Sequence, residues 1–157
     1  MSNPASNDTL LTPDNHAVQA KVREPQQMNA AFAAAYNSGD IENLMALYEP
    51  NAVLVPQPGQ RAIGLAAIRE ALLGFLGLKG RMQSENVYCI RTGDLALLQA
   101  SWKLSATGAD GKPFELSSRT AEVIRQQPDG SWLYVVDHAF AHELLTDAQA
   151  DTLSRAA

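Results

Sequence analysis

The sequence predicts an α+β fold, in which three N-terminal helices pack against one face of a curved, mostly antiparallel sheet. Three observations support this prediction. Apolar residues recur at three- and four-residue spacing mainly in the first half of the chain. The second half consists largely of alternating segments rich in β-branched and aromatic residues. Short turn sequences containing Gly, Asp and Pro separate those segments.

The length and composition suit one globular domain with a substantial core, because 46% of the 157 residues are hydrophobic and 18% are charged. We expect residues 1–22 to form a flexible tail or a lead-in helix, and residues 23–142 to form the domain. Residues 143–157 are expected to form a short helical tail, for which Thr146 and Asp147 supply the N-terminal cap.

The charge and the ends of the chain exclude several classes of partner. The net charge of −5 argues against nucleic acid, because phosphate binding needs clustered Lys and Arg. No apolar run is long enough to cross a bilayer, and residues 1–15 lack the basic and apolar regions of a signal peptide. We therefore expect a cytoplasmic protein without a membrane partner.

No cofactor or metal is expected from the motifs. The chain lacks a glycine-rich phosphate loop and a serine nucleophile elbow. His16, His138 and His142 do not form a helical zinc motif, because no glutamate accompanies the four-residue spacing of His138 and His142 and these two lie at the end of a predicted strand. The single cysteine, Cys89, cannot form an internal disulfide. Its apolar surroundings favour a small buried side chain over a reactive thiol.

Two helices are predicted in the first third of the domain. The first begins near Pro25, which is tolerated in a first helical turn, and Gly39 is expected to end it in a left-handed conformation. Asp40 is expected to cap a second, short helix from Ile41 to Tyr48. The apolar face of the first helix consists of Met28, Ala31, Phe32, Ala35 and Tyr36.

A short strand, a loop, a third helix and four more strands complete the predicted domain. The short strand covers Ala52 to Val55, and a proline-rich loop at residues 56–60 follows it, because proline cannot donate to a sheet. The third helix runs from about Leu65 to Leu76, with Ile68, Leu72, Leu73 and either Phe75 or Leu76 buried. The four strands are expected at residues 81–91, 95–106, 114–126 and 131–141.

The last two strands form a predicted β-hairpin within RTAEVIRQQPDGSWLYVVDH, residues 119–138. Pro128, Asp129 and Gly130 favour a turn, because Pro presets φ, Asp bonds its own backbone and Gly accepts a positive φ. Two acids, Glu122 and Asp137, interrupt these otherwise apolar strands. A carboxylate in a core-facing strand is either turned to the surface or part of a polar site.

Three segments resemble the nuclear-transport-factor-2-like (NTF2-like) superfamily, and within it the SnoaL-like branch related to ketosteroid isomerases. They are NSGDIENLMALYEPNAVLV at residues 37–55, GLAAIREAL at residues 64–72, and the hairpin at residues 119–138. The resemblance implies the NTF2-like cone and a cavity between its sheet and helices, where small ligands usually bind. It does not imply one activity, because the superfamily includes isomerases, cyclases, dehydratases, epoxide hydrolases and non-catalytic proteins.

The ketosteroid isomerase site is only partly matched. These enzymes use a tyrosine on the first helix, an aspartate after the first strand and an acid in the hairpin. Their tyrosine corresponds here to Phe32, which cannot donate a hydrogen bond, and Tyr36 lies one turn further on. Their aspartate corresponds to Pro56, and their hairpin acid corresponds to Glu122. One role of three is retained, so the resemblance does not extend to steroid isomerisation by that mechanism.

Alternation along the last strand predicts which side chains face the cavity. The inward set is Leu133, Val135, Asp137 and Ala139, and the outward set is Trp132, Tyr134 and His138. Glu122 and Asp137 would then share a low-dielectric cavity, where their repulsion keeps one protonated near neutral pH. We take this pair as the candidate catalytic acid and base. The alternative is structural: Arg119 or Tyr36 pairs with these acids only to satisfy them.

The candidate ligand-binding residues come from several elements, and some have a structural alternative. Trp102 also suits core packing, Arg119 a strand edge or a subunit contact, and His138 a surface or a dimer interface. A shift of one residue in sidedness would bring His138 into the cavity in place of Asp137. The full candidate set is Phe32, Tyr36, Leu54, Pro56, Trp102, Arg119, Val135 and His138.

The outer face of the sheet is a candidate partner surface. It is expected to combine a mixed row on one long strand with aromatic area from Trp132 and Tyr134, and such a patch favours a homodimer through the sheet face. The mixed row is Leu95, Leu97, Gln99, Ser101 and Lys103.

Three functions are compatible with the sequence. The first is an isomerase-, cyclase- or hydrolase-like enzyme that acts on a small apolar molecule through its acidic pocket residues. The second is a binding module with the same cavity and no turnover. The third is an oligomerisation module whose cavity is incidental.

Overall fold

The computed structural model describes residues 20–141, which form three α-helices and a seven-stranded sheet. A 3-10 turn, Pro25–Gln27, leads into the first helix. The helices are α1 (Met28–Ser38), α2 (Ile41–Met45) and α3 (Gly64–Leu76). The strands are β1 (Tyr48–Val55), β2 (Ala62–Ile63), β3 (Arg81–Thr92), β4 (Leu95–Thr107), β5 (Pro113–Arg119), β6 (Ala121–Gln126) and β7 (Trp132–His138). The α+β prediction is confirmed, but only two helices precede the sheet, because α3 follows β1 and β2.

The sheet has the strand order β2-β1-β7-β6-β4-β3, and β5 also pairs with β4. Strands β1 and β7 run parallel, whereas the other pairs are antiparallel. Helix α1 packs on β3 and α3 packs on β1, so the helices cover the inner face. Side chains of β4 alternate as predicted between this buried face and an exposed one, with Leu98, Ala100, Trp102 and Leu104 inside.

The predicted caps at Gly39 and Asp40 and the predicted hairpin turn are confirmed. Gly39 has a φ of 71° and donates its N–H to the carbonyl of Tyr36 at 3.0 Å. The side chain of Asp40 accepts from the N–H of Glu42 at 2.9 Å, which satisfies a free donor at the start of α2. In the hairpin turn, Gly130 has a φ of 83°, and Asp129 Oδ1 accepts from the backbone N–H two residues on.

The structure differs from the predicted strands at three places. Tyr48 begins β1 instead of ending α2, because it pairs with Tyr134 of β7. Strand β2 was not predicted. The segment at residues 114–126, predicted as one strand, is divided at Thr120 into β5 and β6. At this position Thr120 bonds to Ala100 of β4 through both its backbone and its side chain. Its N–H donates to the carbonyl of Ala100 at 2.9 Å, and its hydroxyl oxygen accepts from the N–H of Ala100 at 2.8 Å.

Two predicted buried side chains are more exposed than expected. Leu73 lies on the outer side of α3 and is 43% exposed, whereas Ile68 and Leu72 are buried. Cys89 is only half-buried at the edge of the core, where burial raises the pKa of its thiol. A raised pKa disfavours the nucleophilic thiolate.

Several predictions fall outside the described part of the chain. These are the tail helix, most of the lead-in helix, and the side chains of His16 and His142. The end of the predicted lead-in helix, residues 20–22, is not helical. Within residues 20–141, no helix has both the length and the apolar composition that crossing a membrane requires.

Candidate functional site

A β-bulge in β7 determines which of its side chains face inward. Val136 pairs with Val123 and Tyr134 pairs with Ile124, so the ladder passes over Val135. An unpaired residue of this kind shifts the alternation of a strand by one position. The side chains before the bulge therefore follow the opposite pattern from those after it.

Because of the bulge, two of the four predicted inward positions on the last strand are wrong. Before it, Trp132 and Tyr134 are buried at 1% exposure each, so the predicted inward positions of Leu133 and Val135 are wrong. After it, Asp137 lies inside as predicted. His138 does not replace it.

A cavity of about 370 Å³ lies between α1, α3 and the inner face of the sheet. Its wall is largely apolar, and none of the described side chains that line it is Lys, Arg or His. Aromatic residues supply much of the wall: Phe32, Phe75, Trp102, Tyr134 and Phe140. A polar group of five residues lies among them: Asn29, Ser84, Thr120, Glu122 and Asp137. Gln57 and Gln60 are further polar residues of the lining.

The structure brings six of the ten candidate site residues to this cavity. They are Phe32, Leu54, Pro56, Trp102, Glu122 and Asp137. The other four lie outside the lining. Tyr36 is directed away, because its hydroxyl donates to the carbonyl of Phe75 at 3.1 Å and its ring packs against Phe75. Arg119 is on the exposed side of β5, Val135 is in the bulge, and His138 follows the inward Asp137.

Glu122 and Asp137 form a buried carboxyl pair on the cavity wall. They are direct cross-strand partners on β6 and β7, and they are 2% and 5% exposed. Directly opposite residues on antiparallel strands have Cβ atoms about 4.5–5.5 Å apart. Asn29 Nδ2 donates to Glu122 Oε1 at 2.7 Å, and the Tyr48 hydroxyl donates to Asp137 Oδ2 at 2.5 Å.

The environment separates the two acids in pKa. Burial first, and the charge of Asp137 second, raise the pKa of Glu122 to about 8, although the nearby Thr120 hydroxyl and Asn29 amide oppose the shift. Burial raises the pKa of Asp137 to about 6, and the Tyr48 hydroxyl limits that rise. At neutral pH the order places the proton on Glu122 and the negative charge on Asp137. Such a separation is what assigns acid and base roles in a carboxyl pair.

Two tyrosines keep their protons beside this pair. Burial, followed by the charge of Asp137, raises the pKa of Tyr48 well above its ordinary value. Burial and the charge of Glu122 do the same for Tyr134. The rings of Tyr48 and Tyr134 pack 5.1 Å apart, and Tyr134 also meets the edge of Phe32. One phenol, Tyr134, therefore lines the cavity, and a second, Tyr48, lies outside the lining and donates to Asp137.

The sequence did not predict three residues of the site: Asn29, Tyr48 and Tyr134. Asn29 lies three residues before Phe32, so it shares the inner face of α1, and a polar residue on that face was the available signal. Tyr48 was assigned to a helix, and the bulge reversed the expected direction of Tyr134. No cluster of three or more His, Cys, Asp or Glu side chains that would suit a metal ion occurs among residues 20–141.

A family model matches most of the chain. Residues 29–135 match the model of the SnoaL-like domain. The chain belongs to the SnoaL-like domain family, within the NTF2-like superfamily. The matched segment begins at Asn29 and ends two residues before Asp137. A comparison with curated proteins finds no match.

Solved structures share the fold of this SnoaL-like domain. A ketosteroid isomerase-like protein from Erwinia carotovora atroseptica is 24% identical, with a TM-score of 0.62 over 69% of this chain and 86% of that chain. A nuclear transport factor 2 (NTF2-like) superfamily protein from Salmonella enterica serovar Typhimurium is 17% identical, with a TM-score of 0.63 over 78% of this chain and 92% of that one. An NTF2-like protein with a cystatin-like fold from Novosphingobium aromaticivorans is 19% identical, with a TM-score of 0.64 over 80% and 84%. At these identities, the similarity concerns the fold alone.

Proposed function

We propose that this SnoaL-like domain binds a small, uncharged, largely apolar molecule in its cavity and catalyses an isomerase-, cyclase- or hydrolase-like reaction on it. In this proposal Asp137 is the base and Glu122 is the acid. The observation that carries it is the buried carboxyl pair, whose members face each other on the cavity wall with different pKa values. Different pKa values allow one carboxyl group to donate a proton and the other to accept one near neutral pH, as acid–base catalysis requires. Carboxylates on a protein surface have no such requirement.

The geometry suits a reaction in which one proton leaves and an oxygen gains negative charge. Asp137 accepts a proton from an acidic C–H group or from an attacking water, while the Tyr48 hydroxyl stabilises its carboxylate. The oxygen of the substrate then accepts hydrogen bonds from Tyr134 and from protonated Glu122. Tyr134 thereby supplies the phenol that is missing at Phe32, with which its ring is in contact.

The cavity favours an uncharged ligand. An anionic substrate would need a buried cationic partner, and none of the described lining residues carries a positive charge. Apolar rings or chains would pack against the aromatic wall, and a single carbonyl, lactone or epoxide oxygen would meet the polar group.

Substituting the base tests the enzymatic proposal directly. With a substrate found by screening small ketones, lactones and epoxides, Asp137→Asn is expected to lower kcat at least about a hundredfold, since general base catalysis contributes about 10²–10⁴-fold. Ligand affinity, measured by calorimetry, should change little. Asp110→Asn is the matched control, because Asp110 lies at an exposed hairpin tip, where its side chain accepts from the N–H of Lys112.

Two results would count against turnover. Full activity in Asp137→Asn would show that Asp137 is not the catalytic base. A wild-type protein that binds several of these compounds and converts none would instead support the non-catalytic ligand-binding module.

We also infer a homodimer that forms through the outer face of the sheet. Ile90 and Leu97 are cross-strand partners there and are 59% and 42% exposed, and Tyr88 lies on the same face. The expected contribution of Trp132 and Tyr134 is wrong, because both are buried. Contiguous exposed apolar area of this kind is typical of a partner surface.

Charge placed on this face is expected to dissociate the dimer. Ile90→Lys combined with Leu97→Lys should convert a dimer into a monomer in light scattering after size exclusion, without loss of the folded circular dichroism spectrum. Ile63→Lys is the control, because Ile63 is 65% exposed but lies on β2 at the other edge of the sheet. A monomeric wild type contradicts the inference, and a larger ring favours the oligomerisation module.

The remaining expectations stay predictions from the sequence. These are the cytoplasmic location and the absence of nucleic acid, membrane and cofactor partners.

A further inference from the structure

A second bulge, in β3, begins a chain of hydrogen bonds that ends at Glu122. Asn86 pairs with Ala100 of β4 and Tyr88 pairs with Gln99, so Val87 lies between them without a ladder partner. Across this bulge, Asn86 Nδ2 donates to the backbone carbonyl of Tyr88 at 3.1 Å. A carbonyl oxygen only accepts hydrogen bonds, so the side-chain amide of Asn86 must direct its nitrogen, and not its oxygen, towards the carbonyl of Tyr88.

The orientation of Asn86 sets the orientation of Asn29. The same Nδ2 group of Asn86 donates to Asn29 Oδ1, also at 3.1 Å. The oxygen of the Asn29 amide is thereby directed towards Asn86, and its nitrogen is directed towards Glu122. Asn29 is 3% exposed at the start of α1, so solvent does not compete for either end of its amide.

The orientation of Asn29 makes the two oxygens of Glu122 unequal. Oε1 accepts from Asn29 Nδ2 at 2.7 Å, and an oxygen facing an N–H donor is a poor site for a proton. The Thr120 hydroxyl lies close enough to this carboxyl group to oppose the rise in its pKa, but Oε2 is buried and has no hydrogen-bond partner among the described residues. A reversed Asn29 would present its own oxygen to Oε1 and would draw the proton to that side instead.

We propose that Asn86 and Asn29 are positioning residues that assign the acidic proton of Glu122 to Oε2. The carbonyl of Tyr88 fixes the direction of the chain, and the two amides transmit that direction to the carboxyl group. The catalytic meaning of this assignment rests on the proposed function, because a fixed proton position lets Glu122 present the same donor in each turnover. The assignment itself concerns the ligand-free protein.

Reversing the chain at its outer end tests the proposal. In Asn86→Asp the new carboxylate cannot donate, so it should accept from Asn29 Nδ2 and turn Oδ1 of Asn29 towards Glu122. The proton of Glu122 then moves to Oε1, and its carbonyl oxygen loses the bond to Asn29. In infrared spectra of the protein labelled with ¹³C-glutamate, the protonated carboxyl band of Glu122 should shift to higher wavenumber. Glu122→Gln identifies that band by its loss.

Two further variants keep the test independent of folding and of turnover. Asn86→Ala leaves Asn29 free to adopt both orientations, so two carboxyl bands are expected. Gln83→Ala, an exposed amide on the same strand, should leave the band unchanged. An unshifted single band in both Asn86 variants would overturn the proposal. A shifted band in a protein without any turnover would retain the proton assignment and reject only the proposed catalysis.

Discussion

Glu122→Gln is expected to be more stable than the wild type at pH 9 by about 3–5 kcal/mol, and to differ by less than about 1 kcal/mol at pH 4.5. The gain arises because the wild-type carboxyl group pays for burial when it ionises, and Gln does not ionise. Gln also retains an oxygen that can accept from Asn29. The expected effect is unusual, since removing a buried charged partner normally destabilises a protein.

The sign follows from the direction of the pKa shift. Burial and Asp137 hold the pKa of Glu122 at about 8, whereas its ordinary value is 4.5. Between these pH values the folded protein keeps a proton that the unfolded chain has lost, so the free energy of unfolding falls as pH rises. Asp137 also has a raised pKa, so it lowers the free energy of unfolding further as pH rises to about 6. The stability of Glu122→Gln should therefore become flat above pH 6, while that of the wild type continues to fall to about pH 8.

Urea unfolding at pH 4.5, 7 and 9 measures this difference. Glu115→Gln is the matched control, because the side chain of Glu115 is 58% exposed and a hydrogen bond from Lys103 lowers its pKa. That variant should follow the wild-type profile. If Glu122→Gln loses stability in parallel with the wild type up to pH 9, Glu122 is not the group that titrates.

The hairpin illustrates what the sequence could predict. The turn at Pro128, Asp129 and Gly130 has a strong local signal, and at its distance from this turn Glu122 corresponds to the hairpin acid of the ketosteroid isomerases. That resemblance implied an inward position, and Glu122 is buried. The fold class and most element positions follow from the same kind of local pattern. Asp137 was also placed correctly, although two of the other predicted inward positions on its strand were not.

The errors at the site arise from non-local pairing. The bulge at Val135 depends on how β7 meets β6, and a strict two-residue alternation cannot represent it. Tyr48 has an acceptable helical sequence around it, and only its pairing with β7 makes it a strand residue. The polar partners of the two acids, Asn29 and Tyr48, come from elements distant in sequence, so no local motif could have joined them.

Trp102→Ala is expected to lower the free energy of unfolding by about 3–5 kcal/mol, the range observed when a large buried aromatic side chain is removed. Trp102 is 5% exposed and lies on the inner face of β4. Its ring packs edge-on against Phe75 at 6.1 Å and Phe140 at 5.1 Å, so its loss would leave one wall of the cavity without support.

A comparison of the two tryptophans separates packing from hydrogen bonding. Trp102 Nε1 donates to the carbonyl of Ala139 at 2.8 Å, which ties the end of β7 to β4, whereas Trp132 Nε1 is buried without a partner among residues 20–141. Trp102→Phe should therefore cost about 1–2 kcal/mol more than Trp132→Phe, because only the first substitution leaves a carbonyl without its donor. Chemical unfolding of both variants measures the difference. Equal losses would mean that ring packing alone, and not the bond to Ala139, holds the residues after Asp137 against the cavity.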